Sequence, residues 1–186
     1  TSITATELAA IGGATTGTVT VTNAVNIIGD HDQLTAALVT AGTKVVVSDA
    51  TVLINDADAT SITATELAAI GGATTGTLTV SNNINITGTS AAVVTALGNV
   101  DTFSGTPTVN LENDHTLAEL KAINDAISGT ITLNDYSVAL NGSSADVAAA
   151  LAGSFAANYT GNVTLSDTPT NAQLELIDAA TTGNIT

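Results

Sequence analysis

The stretch from residue 1 to residue 29 is repeated almost verbatim from residue 60 to residue 88, with 24 of 29 positions identical. A chain that contains its own copy has its fold encoded in one repeating unit. A unit this short cannot bury an apolar face alone, so neighbouring units must stack to bury it. The repeat therefore predicts an array of stacked coils in place of one globular core.

A helix-start pattern extends the repeat over the whole chain. Seven Thr, Asp or Ser residues stand four positions ahead of an apolar residue, and these residue types accept hydrogen bonds from the free N–H groups that open a helix. Five of them are followed three residues later by Glu or Gln, the pattern of a capping box. The caps predict seven coils that begin near Thr4, Asp30, Thr63, Thr89, Thr116, Ser143 and Thr170.

Each cap precedes a short apolar stripe at helical spacing. Helices of two to three turns do not form in isolation, so packing of this stripe must hold them. The predicted buried positions are Leu8, Ile11, Leu34, Leu38, Leu67, Ile70, Val93, Leu97, Leu120, Ile123, Val147, Leu151, Leu174 and Ile177.

After each helix the apolar period changes to two, which predicts a half-buried strand. Predicted strands cover residues 18–21, 77–80, 108–111, 130–133 and 162–165, and in the complete first-kind coils a second predicted strand covers 25–27, 84–86 and 138–140. Equivalent strands of successive coils are expected to pair in parallel, because helix-bearing crossovers return the chain in the same direction.

These elements predict a right-handed α/β solenoid of short capped helices and parallel strands. Coils at 4, 63, 116 and 170 are of a first kind, and coils at 30, 89 and 143 are of a second kind, so about seven coils form alternating two-coil repeats. Residues 1–186 are expected to form a single continuous repeat array, an excerpt of a longer chain. A row of independent small domains is the alternative.

The charge of the chain excludes several classes of partner. Seventeen Asp and Glu oppose only Lys44 and Lys121, for a formal net charge of −15. Binding of nucleic acid or of anionic lipid needs clustered cations, so neither is expected. An acidic surface keeps a protein soluble and attracts cations. No segment has the roughly 20 apolar residues of a membrane span, so membrane insertion is not expected.

The residues do not predict an enzyme. His31 and His115 each lie among acids beside a helix cap, where we expect exposed residues of polar turns. The serines lack a Gly-x-Ser-x-Gly elbow, so no catalytic residue and no cofactor-binding residue is assigned. Some solenoids cleave acidic polysaccharides with clustered carboxylates and cations, but here the acids recur in repeated turns, as structural residues do.

Calcium is the cofactor that these acids could bind, although none is assigned and the metal ligands stay unknown. Hard oxygen donors in turns suit Ca²⁺, but neither an RTX nonapeptide nor a twelve-residue helix-loop-helix site is present. The alternative is that the acids solvate turns. The candidate donors are Asp30, Asp32, Asp56, Asp58, Glu112, Asp114 and Asp135.

Threonines at outward strand positions form another repeated set. Stacked Thr side chains would resemble the Thr-x-Thr arrays of ice-binding solenoids, although Thr is also a common exposed strand residue. Lys44, Val46, Asn110, Glu112 and Asn162 interrupt the pattern. The set comprises Thr18, Thr20, Thr77, Thr79, Thr106, Thr108, Thr130 and Thr132.

The string Thr-x-x-Glu-Leu-Ala-Ala-Ile, followed by Ala-Thr-Thr-Gly-Thr-Val-Thr-Val, resembles tandem repeats of very large secreted or cell-surface proteins of cyanobacteria and other marine bacteria, RTX-adhesin-like or surface-layer-like. The resemblance extends over nearly the whole chain. It implies an extracellular location on a bacterial cell surface, and it brings no catalytic residue.

The expected function is that of a non-enzymatic structural repeat segment: a spacer, a surface-layer element, or the stalk of a filament or adhesin. The expected partners are neighbouring repeats of the same or identical chains, joined end-to-end or laterally. The alternative is a binding module, either a Ca²⁺-dependent adhesin or an ice-binding surface built on the Thr ladders.

Overall fold

A computed structural model describes residues 1–40 and 42–186. The chain divides into two compact units. The first comprises Thr1–Ile84 with Thr95–Thr106, and the second comprises Asn85–Val94 with Pro107–Thr186. Both units are of mixed α/β structure with parallel strands, which confirms the predicted structural class.

Every described α-helix begins one residue after a predicted cap. The helices are α1 (Ala5–Gly13), α2 (His31–Leu34), α3 (Ala64–Gly72), α4 (Ser90–Gly98), α5 (Leu117–Ala126), α6 (Ser144–Leu151) and α7 (Asn171–Ala180). The second coil departs from the others, because α2 continues as a π-helical segment, Thr35–Val39.

The described strands overlap the predicted ones, and additional short strands precede two of the caps or lie within second-kind coils. They are β1 (Ser2–Thr4), β2 (Val19–Val21), β3 (Asn26–Gly29), β4 (Val45–Val47), β5 (Thr51–Ile54), β6 (Ser61–Thr63), β7 (Leu78–Val80), β8 (Asn85–Gly88), β9 (Thr102–Phe103), β10 (Thr108–Leu111), β11 (Ile131–Thr132), β12 (Leu140–Gly142) and β13 (Val163–Leu165).

The first unit contains two parallel sheets, with strand orders β1-β3-β5-β7-β9 and β2-β4. In the second unit β8 pairs with β10, β10 with β11, and β12 with β13, again in parallel. Single parallel bridges extend these sheets from Ile131 to Phe155 and from Val163 to Ile185. The predicted parallel pairing is confirmed.

Paired strands are one coil apart in sequence. Val19 pairs with Val45 in the first unit, and Val109 pairs with Ile131 in the second. Because the sequence separation between partners stays close to one value in both units, each turn of chain lies beside the next turn within its unit.

The prediction that equivalent strands pair is only half right. In each second-kind coil, the last strand pairs with the first strand of the following coil, which is not its equivalent. These pairs are β5 with β7, β10 with β11, and Val163 of β13 with the bridge residue Ile185. Fewer residues separate two paired strand positions than separate two successive caps: Val109 and its partner Ile131 are closer in sequence than Thr89 and Thr116. Successive caps and successive strand pairings therefore do not stay in step along the chain.

Most of the predicted anchors are buried, and they form the core with inward strand residues such as Ile54 and Ile86. Two anchors on the first and last helices contradict the prediction. Ile11 of α1 is 48% exposed and Leu174 of α7 is 41% exposed. Both nevertheless have the periodicity of core residues.

Glycines 17 and 76 occupy the same place in the two copies but have different surroundings. A Cβ on Gly76 would lie 2.3 Å from the carbonyl oxygen of Ala50, whereas a Cβ on Gly17 would meet only Thr15 Oγ1, at 3.8 Å. Close approach of the turn around Ala50 therefore requires Gly in the second copy alone.

We expect Gly76→Ala to lower the free energy of unfolding by about 1–3 kcal/mol, because the added methyl group collides with backbone. Gly17→Ala is the matched control and should leave stability unchanged or slightly higher. Urea unfolding followed by circular dichroism measures both. Equal effects of the two substitutions would contradict the stacking of the turn on Gly76.

Candidate functional site

The helix starts are the places where polar side chains converge. At all seven caps the side-chain oxygen of the cap residue accepts a hydrogen bond from the backbone N–H three residues later. Reciprocal capping boxes occur at Thr4, Asp30, Thr63, Thr116 and Thr170. These are the five that the sequence predicts.

The carboxylates of the capping boxes are held in their charged form. Glu119 Oε2 accepts hydrogen bonds from Thr116 N and Thr116 Oγ1, both at 2.8 Å. The bond from the Thr116 backbone N–H is the main cause that lowers the pKa of Glu119. The Thr63 hydroxyl lowers the pKa of Glu66 in the same way. Hydrogen bonds to a carboxylate favour its ionised form.

A second set of caps comes from the far end of the same coil, one turn of chain later, and was missed by the sequence analysis. Asp56 Oδ2 accepts from His31 N at 2.8 Å, and Asn113 Oδ1 accepts from Ser90 N at 2.8 Å. Asp167 Oδ1 accepts from the N–H of Ser144 at 2.7 Å, and its other oxygen accepts from the Ser144 hydroxyl. These three acceptors tie each second-kind helix start to the next turn of chain.

These far-end caps leave a signal in the sequence. Asp56, Asn113 and Asp167 each stand two residues after the last residue of a second strand, β5, β10 or β13. Such residues are common in any turn. Their equivalence becomes visible only once the strands are aligned.

The expectation that both histidines are exposed is wrong. His31 is half-buried, and its Nδ1 lies 2.7 Å from Asp56 Oδ1, forming a hydrogen-bonded ion pair when the ring is protonated. Burial acts to lower the pKa of His31, but the hydrogen bond and charge of Asp56 outweigh it and raise the pKa above its ordinary value. Asp56 thus serves both the ring and the helix start.

His115 is only 3% exposed and lies against Tyr159, which is also buried. The Tyr159 hydroxyl donates to the carbonyl oxygen of Val138 at 2.7 Å, and His115 Nε2 lies 3.0 Å from that hydroxyl. With its proton committed to Val138, the hydroxyl accepts from Nε2–H. His115 Nδ1 is then left buried without a hydrogen-bond partner among the described residues.

The acids predicted as calcium donors lie in several places. Asp56 contacts His31, Asp58 accepts from Asn83 N, Asp114 accepts from the Asn134 side chain, and Asp135 accepts from Ser137. No group of three or more Asp, Glu or His placed to hold a metal ion is found within the described residues. Calcium binding stays a prediction.

Three of the eight predicted threonines pair with residues of other types. Thr20 pairs with Val46, Thr108 with Asn85, and Thr132 with Asn110. Thr79, in contrast, pairs with Thr102. Ice binding stays a prediction.

A surface groove of about 690 Å³ lies beside α5 and α6. Its apolar floor includes Leu117 and Ala122, and Lys121, Asp125 and Asp146 line it. Lys121 Nζ forms an ion pair with Asp125 Oδ2 at 2.7 Å. That neighbouring carboxylate raises the pKa of Lys121, so the amine stays cationic.

No protein-family model, curated protein or solved structure matches this chain. None of the helices in the described part of the chain is long and apolar enough to cross a membrane.

We expect Asp167→Ala to lower the free energy of unfolding by about 1–3 kcal/mol, because the buried Ser144 loses the acceptor for its N–H. Asp167→Asn should retain most of the stability, since Asn113 performs the same task at Ser90. Asp178→Ala, which removes an exposed carboxylate, controls for charge. Urea midpoints compare the three. An equal loss in Asp178→Ala would contradict the far-end cap at Asp167.

Burial lowers the pKa of His115, while the charges of Asp114, Glu119 and Asp135 act against it. The unfolded chain therefore takes up this proton first as the pH falls below about 6.5. We expect the His115 contribution to stability to be full above that pH and to decrease below it. His31 contributes with the opposite sign, because its pKa is raised.

His115→Phe removes the proton and retains an aromatic ring beside Tyr159. Comparing urea midpoints at about pH 7.5 and about pH 5.5 should show a smaller decrease for this variant than for the parent chain. Equal decreases in the two proteins would contradict a buried neutral histidine.

Proposed function

We propose that this chain is a non-enzymatic structural repeat segment of an extracellular bacterial surface protein, folded as a right-handed α/β solenoid. The observation that carries the proposal is that nearly the same length of chain separates paired strands, from Ser2 with Asn26 to Val163 with Ile185. A chain whose every turn rests on the next converts added sequence into added length. Its function would be that of a spacer or filament stalk.

The polar chemistry of the helix starts supports a structural role. The Asp56 carboxylate, the Asp167 carboxylate and the Thr116–Glu119 pair each accept hydrogen bonds from helix-start N–H groups. The acceptor oxygens of these side chains are occupied by the backbone N–H groups that they stabilise. The same arrangement recurs from coil to coil, whereas a catalytic site is assembled once.

The composition of the chain suits an extracellular protein. With two lysines and no arginine, the chain offers trypsin-like proteases few cleavage sites, and its net charge of −15 opposes aggregation. The absence of cysteine makes the fold independent of redox conditions. Neighbouring repeats of the same or identical chains are the partners that this role requires.

The proposal predicts how the molecule grows. Duplicating the two-coil period of residues 63–115 in place should lengthen the particle by about 10 Å. The duplication adds two turns of chain, and adjacent strands of a sheet lie about 4.8 Å apart. The cross-section should not change. Small-angle X-ray scattering of the parent and the duplicated chain measures the maximum dimension and the cross-sectional radius separately.

A matched control inserts the same number of residues as a flexible Gly/Ser linker at Ala57, in the turn that follows β5. That insertion should broaden the particle without adding a regular increment. A duplicated chain whose radius increases equally in all directions would contradict the solenoid.

A further inference from the structure

The two near-identical copies differ in what covers them. Ile70 of the second copy is fully buried, whereas its equivalent in the first copy, Ile11, is 48% exposed. The same contrast holds at three further positions: Ile62, Val80 and Ile84 are buried, and Ile3, Val21 and Val25 are half-buried. We call Ile3, Ile11, Val21 and Val25 the open face.

In the second copy, α2 and the π-helical segment contact α3, and one further segment covers β7. Strand β5 pairs in parallel with β7, placing Val52 beside Leu78 and Ile54 beside Val80. The turn before β5 contributes carbonyls, since Ser48 O accepts from Thr75 N at 2.8 Å. Ile54 O accepts from Ser81 N at 3.0 Å. The cover is therefore a strand together with the turn that precedes it, Ser48–Ile54.

The first copy presents the same receiving surface. Among the described strands β2 pairs with β4 alone, whereas β7 pairs with β5 on one edge and β9 on the other. Thr16 and Thr22 correspond to Thr75 and Ser81, whose N–H groups bond to the covering segment. Gly17 leaves the same space that the turn at Ala50 occupies over Gly76.

We infer that the open face and the free edge of β2 bind a coil of the kind formed by residues 30–59, supplied by another repeat of this type. Its strand would lie parallel to β2, with a residue like Val52 beside Val19 and one like Ile54 beside Val21. Strand addition of this kind gains affinity from backbone hydrogen bonds and specificity from alternate side chains. The inference rests on the proposed function, because it names the partner for stacking.

The test is a fusion in which a second copy of residues 30–59 precedes Thr1. This recreates the natural junction, since Thr1 and Ser2 repeat Thr60 and Ser61. Amide hydrogen exchange should then slow at Thr16 and Thr22 by about tenfold or more, approaching Thr75 and Ser81 in the same molecule. Those two amides report that the rest of the chain is folded.

The control carries Val52→Asp and Ile54→Asp in the added copy only. It should leave Thr16 and Thr22 as fast as in the parent chain while Thr75 and Ser81 stay protected. A second variant, Val21→Asp in the fusion, should free Thr22 and leave Ser81 unchanged, so the result does not depend on one substitution.

Fast exchange at Thr16 and Thr22 in the fusion, with Thr75 and Ser81 protected, would overturn the inference. Protection that arises only when the unfused chain is concentrated would also overturn it, because another surface of a second copy would then be the occupant. Either result would leave the scattering experiment on the duplicated chain free to support the solenoid, so the two proposals can fail separately.

Discussion

The fold depends on the hydrogen bonds that complete the helix starts. Each described helix is short, and α1 and α3 each end in two glycines, so none is stable alone. The cap from the same coil, such as Thr63 Oγ1 to Glu66 N, fixes where each helix begins. The cap from the far end of the same coil, as at Asp56, fixes which turn of chain lies beside the helix start.

This double capping couples local structure to stacking. A carboxylate such as Asp167 reaches the N–H of Ser144 only while its own strand, β13, stays in register with β12. Loss of one pairing would free a buried N–H, and the cost of an unpaired buried donor opposes slippage. Apolar burial supplies the driving force, and the caps supply the register. The acidity of the chain is in part a consequence of this arrangement.

Local interactions were readable from the sequence, because they connect positions only a helical turn apart. All seven caps and the five reciprocal boxes lie where the pattern of Thr4 and Glu7 predicts them. The strands at 78–80 and 163–165 follow from alternation. The burial of His115 and Tyr159 was not readable, since these rings are far apart in the chain and neither belongs to the repeating pattern.

Which strands pair with each other could not be predicted from the sequence, because caps and strands recur at different intervals. More residues separate Thr89 from Thr116 than separate Val109 from its partner Ile131. Only the three-dimensional structure reveals that difference, because it identifies the partner. The two copies make the same point. Their sequence by itself determined the helix, the strand and the apolar side of each. The tertiary structure decided that Ile70 is buried and Ile11 is exposed, because burial requires a neighbouring coil and the sequence of one coil cannot supply it.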